Sequence, residues 1–278
     1  MLRPQDCSTT STSRDISERP SLFAILSPKT MTMLCGKNII VTGGSRGIGR
    51  AIAESCASAG ATVGLNYLHS ERSAEELRER FPNQIELLKF DVGDHAAAKP
   101  AINDFIARNG KLDALINNAG IARPHLFASR RDLSTATEEL RVNTLGTMNC
   151  THIVLPSMIK ARQGLIVNIS SVAVVQPQTG LAVYAASKAA VEGFTRAIAI
   201  EYASRHIRCV CLRLGPVETD MLRNAVSEEA FSRQMPDHTL VKRLSTPDEV
   251  AQIVHMLLTG PSALATGSIL DFTAGYCL

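Results

Sequence analysis

The sequence lacks any apolar run that approaches the length of a membrane-spanning helix, which argues against a transmembrane protein. It also lacks a strong charge. Lys and Arg number 29 and Asp and Glu number 26, so the net charge of +3 is too small to indicate binding to nucleic acid or to an anionic membrane. There is no Cys-x-x-Cys or His-x-x-x-His pair, and we expect no metal site. The seven cysteines are scattered and odd in number, which favours buried thiols in a reducing compartment over a disulfide framework.

At 278 residues, 45% of them hydrophobic and 20% charged, the chain has the composition of a soluble globular protein with a sizeable core. Residues 1–35 differ from the rest, because they are rich in Ser and Thr, contain three prolines and show no sustained period. We predict a disordered tail there and one domain over residues 36–278. The arginines and hydroxyl groups of the tail leave a mitochondrial presequence as an alternative, although its acidic residues count against one. We therefore expect a cytoplasmic protein, with the mitochondrial matrix as the alternative.

A glycine-rich turn, Gly43-Gly44-Ser45-Arg46-Gly47-Ile48-Gly49, follows the short apolar strand 38–42 and precedes an amphipathic helix over 50–59. Glycines let the backbone approach a phosphate, and the free N–H groups of a helix N-terminus favour anions. The turn therefore predicts a site for a dinucleotide pyrophosphate. The alternative is a turn that joins strand and helix without binding a ligand.

The end of the second strand, residues 61–67, indicates which dinucleotide binds. An acid at this place accepts hydrogen bonds from the adenosine ribose and repels a 2′-phosphate. The strand ends at Tyr67 with no acid over residues 66–70, and Arg46 stands in the glycine turn nearby. A cation without an opposing acid suits a phosphorylated ribose, so the sequence favours NADP.

Strands and helices alternate along the rest of the chain. We predict strands over 85–90, 112–116, 165–169, 208–214 and 269–272, and helices over 70–81, 95–109, 134–161, 184–203 and 247–258. This alternation predicts an α/β fold, a doubly wound parallel sheet of the Rossmann type covered by helices on both faces. Ligands of such sheets bind at the carboxyl ends of the strands. The polar stretch 225–244 is predicted to be a mobile cover over that edge.

Tyr184 and Lys188 lie four residues apart in the helix 184–203, so their side chains share one face. A free phenol has a pKa of about 10, and a neighbouring ammonium should lower that pKa toward neutrality. Ser171 follows the strand 165–169, and its hydroxyl could hold a carbonyl against the phenol. Asn143 stands between apolar neighbours in a helix, which indicates a buried amide with a specific partner. The alternative for the Tyr184–Lys188 pair is an exposed helical contact.

From Lys37 onward the chain resembles the short-chain dehydrogenase/reductase family. The resemblance rests on motifs in the family's order and at its separations: Thr42 to Gly49, Asp91-Val92, Asn117-Asn118-Ala119-Gly120, Asn143, Ser171, Tyr184 with Lys188, and the segment ending at Thr219. Within the family the chain is most similar to the β-ketoacyl-acyl-carrier-protein reductase group. Two departures are the proline at 216, shifted by two places, and a C-terminal segment that keeps one glycine where the group has two.

The resemblance implies roles for the catalytic residues. Tyr184 is expected to protonate the developing alkoxide during carbonyl reduction, and Lys188 to lower the pKa of Tyr184 and hold the nicotinamide ribose. Ser171 is expected to orient the substrate carbonyl, and Asn143 to position a water that links Lys188 to solvent. The expected NADP-binding residues are Gly43, Ser45, Arg46, Ile48, Gly49, Tyr67, Asp91, Val92, Asn118, Gly120, Tyr184, Lys188, Val217 and Thr219.

The resemblance further implies an NADPH-dependent ketoreductase, a homodimer or homotetramer, that reduces a 3-oxoacyl thioester in fatty acid biosynthesis, with acyl carrier protein as a partner. Two alternatives stay open. One is a reductase of another ketone, a quinone or a polyketide-type intermediate. The other is a non-catalytic NADP-binding sensor or scaffold, which the intact set of four catalytic residues disfavours.

Overall fold

The computed structural model of the chain describes residues 33–129, 132–260 and 262–276. The predicted tail lies mostly outside the described residues, over 1–32. Its predicted end at residue 35 is wrong, because Leu34 is already part of the core. The Leu34 side chain is buried and its amide donates to the carbonyl of Ala59 at 3.0 Å. This contact fastens the segment before the first strand to the end of the first helix.

Seven parallel strands form one sheet in the order β3-β2-β1-β4-β5-β6-β7. Their bounds are β1 Asn38–Val41, β2 Thr62–Tyr67, β3 Ile85–Lys89, β4 Ala114–Asn117, β5 Gly164–Ser171, β6 Ile207–Leu214 and β7 Ile269–Phe272. The chain passes through at least one helix between each strand and the next, as the crossover of parallel strands requires. The predicted doubly wound parallel sheet is confirmed.

The predicted helices are present, with bounds shifted by a few residues at most, and the structure adds two short helices over Asp220–Ala225 and Met235–Asp237 that were not predicted. They are α1 Gly47–Ser58, α2 Glu71–Arg80, α3 His95–Asn109, α4 Ser134–Leu140, α5 Gly146–Ala161, α6 Ala182–Tyr202, α7 Asp220–Ala225, α8 Met235–Asp237 and α9 Pro247–Thr259. The predicted helix 134–161 is continuous but contains a π-helical turn, Arg141–Leu145, between α4 and α5. None of the helices among the described residues is both long and apolar enough to cross a membrane.

Two hydrophobic cores lie on the two faces of the sheet because its strands are buried on both sides. In β1, Ile39 and Val41 point to one core and Ile40 to the other. The first core is closed by α1, α2 and α9, and the second by α3, α5 and α6. Burying each such side chain contributes about 2 kcal/mol to the free energy of folding. The cores therefore hold the strand ends in fixed positions.

The order of connections creates a crevice at the carboxyl edge of the sheet. From β1 the chain moves outward to β2 and β3, and it then returns to place β4 on the other side of β1. The segments that follow β1 and β4 therefore leave in opposite directions, which is where open α/β sheets bind ligands. The glycine turn follows β1, residues 118–120 follow β4, and Ser171 ends β5.

The segment predicted to cover this edge, residues 225–244, contains a π-helical turn over Ala230–Gln234 and the short α8. Its end is tied to the segment after the last strand, because the amide of Leu240 donates to the carbonyl of Ala274 at 3.0 Å. Val217 and Ser245 form an isolated parallel bridge beneath it. Whether this segment moves stays a prediction.

Candidate active site

Four predicted catalytic residues meet at the carboxyl edge of β4 and β5. The Ser171 hydroxyl lies close enough to the Tyr184 phenol to lower its pKa. The Nζ atom of Lys188 lies 5.9 Å from the centre of the Tyr184 ring, on the same face of α6. A side-chain carbon placed on Gly120 would lie 3.2 Å from Asn143 Oδ1 and 3.3 Å from Lys188 Nζ, so both groups line the space beside this glycine.

Asn143 is fully buried, and its amide is held by three hydrogen bonds. Its Oδ1 accepts from the amide of Ile121 at 2.8 Å, and its Nδ2 donates to the Ile121 carbonyl at 2.9 Å and to Ser187 Oγ at 3.0 Å. The π-helical turn inserts one residue per turn relative to an α-helix, and such turns often occur at functional sites. The amide thus joins the loop after β4 to α6, which confirms the predicted burial with specific partners.

Lys188 is almost fully buried, with 5% of the residue exposed to solvent. Its Nζ donates to the carbonyl of Ile169 in β5 at 2.9 Å. Burial disfavours the charged form and lowers the pKa of Lys188 to about 8, with a smaller opposing contribution from Cys211. The lysine therefore changes charge close to physiological pH.

Burial likewise raises the pKa of the Tyr184 phenol above its usual value. The Ser171 hydroxyl opposes this shift, and the nearby Glu139 carboxylate adds to it. Desolvation therefore outweighs the contact with Ser171, so the pKa of Tyr184 in the protein chain by itself lies above its usual value and not below it. That Lys188 lowers this pKa stays a prediction. At neutral pH the phenol is consequently protonated, as a proton donor must be.

The glycine turn fits a dinucleotide pyrophosphate. Gly43 has a φ of +61°, which side chains rarely adopt, and a Cβ on Gly49 would overlap the Gly43 carbonyl oxygen. Arg46 precedes α1 without capping it, so its side chain satisfies no N–H group of the first helical turn. A close backbone approach and free N–H groups are what a phosphate ligand requires. Ser45 and Ile48 lie within this turn, as predicted.

Hydrogen bonds from two neighbouring strands fix the glycine turn. Thr42 Oγ1 accepts from the amides of Asn118 and Ala119, both at 3.0 Å, and Asn118 Nδ2 donates to the Thr42 carbonyl at 2.9 Å. From β2, Asn66 Oδ1 accepts from the amide of Gly43 at 3.1 Å. Sequence reasoning placed Asn118 in the site but missed Thr42 and Asn66. The signal for Asn66 was available: it is an amide inside an otherwise apolar strand.

The adenosine end of the predicted site is bounded by Tyr67. The Tyr67 ring is packed in the core, and its phenol donates to Glu71 Oε1 at 3.2 Å. The Glu71 carboxylate also accepts from Lys89 Nζ at 3.0 Å, which compensates its charge. An acid is therefore present one turn beyond the strand, although the end of the strand has none. Arg46 is exposed and forms no ion pair with another described residue.

Asp91 and Val92, predicted cofactor contacts after β3, are held by the helices behind them. The Asp91 carboxylate accepts from Arg141 Nη2 at 2.7 Å and from the amide of Gly93 at 2.8 Å. Burial raises the pKa of Asp91, but these two hydrogen bonds outweigh it and leave the pKa below its usual range. Asn149 Nδ2 donates to the Val92 carbonyl at 3.0 Å. The loop is thus an ordered wall of the crevice.

The segment after β6 closes the crevice from the opposite side. Thr219 caps α7, since its Oγ1 accepts from the amide of Leu222 at 3.3 Å. A Cβ on Gly47 would lie 3.3 Å from Thr219 Cγ2, so this threonine reaches the glycine turn. Val217 is buried just before it. The structure therefore brings all the predicted site residues to one edge of the sheet.

Three further buried side chains around the catalytic group were missed. Glu139 lies one turn before Asn143, and one of its oxygens accepts from the amide of Arg123 at 2.8 Å. Glu192 lies one turn after Lys188, and Ser187 directly precedes Lys188. Acids four residues from a candidate site residue on one helical face were the available signal.

Comparison with known proteins supplies the family. The short chain dehydrogenase family matches residues 37–230. A 3-oxoacyl-[acyl-carrier-protein] reductase from Aquifex aeolicus is 36% identical over 245 residues, which cover 87% of this chain and 98% of the relative. An acetoacetyl-CoA reductase from Shinella zoogloeoides is 34% identical over 85% of this chain and 96% of the relative.

Solved structures agree with this assignment. A short chain dehydrogenase from Burkholderia cenocepacia in complex with NADP aligns with a TM-score of 0.80 and 29% identity, over 89% of this chain and 100% of the other. A 3-oxoacyl-[acyl-carrier protein] reductase from Brucella melitensis with bound NAD aligns with a TM-score of 0.80 and 29% identity, over 95% and 98%. Relatives of this fold thus bind either nicotinamide dinucleotide.

The buried ammonium of Lys188 should cost stability. A lysine pKa of about 8 in the fold and about 10.4 in the unfolded chain means that the unfolded chain binds more protons between these values, so stability rises with pH in that window. We expect Lys188→Met to raise the free energy of unfolding at pH 7 by up to about 3 kcal/mol. The variant also loses the hydrogen bond to the Ile169 carbonyl, and the free energy of that bond reduces the gain. The gain should shrink steadily between pH 8 and about 10.

Denaturant unfolding of both proteins at several pH values measures this difference. Lys160→Met, at an exposed lysine of α5, is the matched control and should show no such pH dependence. A Lys188→Met protein less stable than the wild type at neutral pH would show that the ammonium is not destabilising.

Proposed function

Because the chain belongs to the short-chain dehydrogenase/reductase family and is therefore an oxidoreductase, we propose that it is an NADPH-dependent ketoreductase that acts on a 3-oxoacyl thioester. The observation that carries the proposal is the convergence of Ser171, Tyr184 and the buried Lys188, in which the phenol is protonated and the serine hydroxyl is close enough to lower its pKa. Two neighbouring hydroxyls of this kind can both donate to one carbonyl oxygen.

In this mechanism the substrate carbonyl oxygen lies between the hydroxyls of Ser171 and Tyr184. The reduced nicotinamide, when bound, supplies the hydride that adds to the carbonyl carbon. Ser171 orients the carbonyl and polarises it, and Tyr184 gives its proton to the oxygen as negative charge develops there. The raised pKa of Tyr184 keeps the phenol protonated until that moment.

Lys188 stabilises the phenolate that remains after proton transfer. Its ammonium lies on the same helical face, and its low pKa places its charge change near the working pH. Asn143 holds the loop at Ile121 next to the ammonium, and the space beside Gly120 is lined by both groups. A water in that space, positioned by Asn143, would return a proton from solvent to Lys188 and then to Tyr184.

The thioester substrate is supported by what the two relatives have in common. Both a 3-oxoacyl-[acyl-carrier-protein] and acetoacetyl-CoA are 3-oxo thioesters, and they differ in the carrier. The carrier is accordingly acyl carrier protein or coenzyme A. A screen of NADPH oxidation against acetoacetyl thioesters and a panel of free ketones and quinones decides the substrate class. Turnover of free ketones alone would reject the thioester.

Location and assembly belong to the same proposal. Five cysteines among the described residues are free thiols and four of them are buried, which supports a reducing compartment such as the cytoplasm.

Apolar side chains on the predicted interface helices are exposed, including Leu145 at 51% and Ile200 at 81%. This exposure supports burial against a partner subunit.

Tyr184→Phe should keep the ring packing and remove only the proton donor. We expect NADPH to bind with near-normal affinity while kcat falls by about 100-fold or more, the size of a lost general acid. The measurement is kcat together with a cofactor titration by fluorescence. Tyr202→Phe, the same substitution at the end of the same helix, is the control and should leave kcat unchanged. Full activity in Tyr184→Phe would refute the mechanism.

The substitution Arg46→Gln tests whether the preferred cofactor is NADPH. If this exposed cation binds a ribose 2′-phosphate, kcat/KM for NADPH should fall about tenfold or more, as expected for a lost hydrogen bond to a charged group, while kcat/KM for NADH stays the same. Arg72→Gln is the control, because Arg72 is a 93% exposed cation on the neighbouring α2. Equal losses with both cofactors, or a wild-type preference for NADH, would reject NADPH.

The assembly is expected to be a homodimer or homotetramer with isologous contacts through α5 and α6. Light scattering at micromolar concentration measures the mass of the wild type. Ile200→Glu should reduce that mass, since a charge replaces an exposed apolar side chain at the interface. A wild type that is only monomeric would contradict the assembly.

A further inference from the structure

Glu192 is a buried carboxylate one helical turn beyond Lys188. Its side chain is 4% exposed, and Lys188 is about equally buried. Residues four apart on a helix face the same side, with Cβ atoms about 5–6 Å apart. A buried ammonium and a buried carboxylate at this spacing attract each other strongly, because the interior screens charge weakly. Their direct pairing would take the ammonium away from the phenol of Tyr184.

Arg213 in β6 prevents that pairing by using both oxygens of the carboxylate. Its Nε donates to Glu192 Oε1 at 2.9 Å and its Nη2 donates to Oε2 at 2.7 Å. Ser170 Oγ donates to the same Oε1 at 2.9 Å. The remaining guanidinium nitrogen, Nη1, donates to Asp271 in β7 at 2.9 Å. Such parallel bonds fix geometry more firmly than a single point contact does.

The Lys188 ammonium has a different hydrogen-bond partner in the same structure. Its Nζ donates to the Ile169 carbonyl, on the strand that also carries Ser170. Cys211 lies near both charges: burial raises the pKa of this thiol to about 12, Glu192 adds to the shift and Lys188 opposes it. Two opposite charges therefore stand close together inside the protein without pairing.

We propose that Arg213 is a positioning residue, which holds the Glu192 carboxylate against β6 and thereby leaves the Lys188 ammonium available to Tyr184. The proposal rests on the proposed ketoreductase function for its link to turnover. Without Arg213, Glu192 turns to Lys188, the buried cation one helical turn before it, whereas Arg196, one turn after it, is exposed. If Arg213 and Glu192 formed only a structural ion pair, loss of Arg213 would lower the stability of the protein but would not change the partner of Lys188.

The experiment compares Arg213→Met with the double variant Glu192→Gln/Arg213→Met. In the single variant Glu192 captures Lys188, and kcat should fall about tenfold or more, as for coupled residues of one network. In the double variant no carboxylate is left to capture the lysine, and kcat should return to within about threefold of the wild type. Rescue by removing a second buried group is not expected from a structural role alone.

The matched control is Asp271→Asn. It takes away the other carboxylate of Arg213, which is 54% exposed, and leaves the bidentate contact with Glu192 in place. Its kcat should equal that of the wild type. A loss of activity in this variant as large as in Arg213→Met would mean that the whole cluster is needed structurally, and would overturn the proposal.

A titration of Lys188 by NMR of its labelled side-chain methylene tests the proposal without any substrate. The charged or titratable groups that face the lysine are Tyr184 and Glu192 on α6, Cys211 and Arg213 on β6, and Glu139 behind the phenol on α4. In Arg213→Met the new partner should raise the pKa of Lys188 by about one to three units. In the double variant the pKa should return to near 8.

The activity measurement and the titration can each overturn the proposal. A pKa of Lys188 that is the same in Arg213→Met and wild type, or a double variant as inactive as the single one, overturns the proposal. If the wild type reduces no carbonyl, the proposed ketoreductase function is wrong. The titration of Lys188 still tests the role of Arg213 in that case. If Arg213→Met does not fold, Arg213→Lys replaces it, because the lysine keeps the charge but loses the paired bonds and should raise the pKa of Lys188 less.

Discussion

The burial of one ammonium group, that of Lys188, is the constraint on which the rest of the site depends. Taking this charge out of water is unfavourable, and the fold tolerates it because the Ile169 carbonyl accepts its hydrogen bond. The same burial raises the pKa of Tyr184 and keeps its proton in place. The nearby Glu192 charge must then be compensated separately, which Arg213 does. The protonated phenol, the Lys188 ammonium and the Glu192–Arg213 ion pair all reflect the desolvation of this part of the protein.

The sheet explains why these groups meet. Parallel strands place their carboxyl ends at one edge, so β1, β4, β5 and β6 all deliver their following segments to the same crevice. The glycine turn after β1 is not a loose loop, because Thr42 and Asn66 fix its backbone from both sides. A backbone held in this way presents its N–H groups without further rearrangement, which lowers the cost of binding a charged ligand.

The periodic segments of the chain were predictable, since period and caps are local properties. The bounds of α3 and β7 agree with prediction to the residue, and most others lie within three residues. Local rules failed where distant partners decide. The π-helical turn at Asn143 depends on contacts with Ile121 and Ser187. The direction of the Tyr184 pKa shift depends on burial, which the spacing to Lys188 does not express.

The sequence by itself determined the alternating α/β order, the glycine turn, and the spacing that places Tyr184 and Lys188 on one face, because each is written in neighbouring residues. Only the tertiary structure decided which charges compensate each other. Glu192 is four residues from Lys188 but pairs with Arg213, which is 21 residues away along the chain. Pairing of buried charges depends on distance in space and on desolvation, and neither is a local property of a sequence.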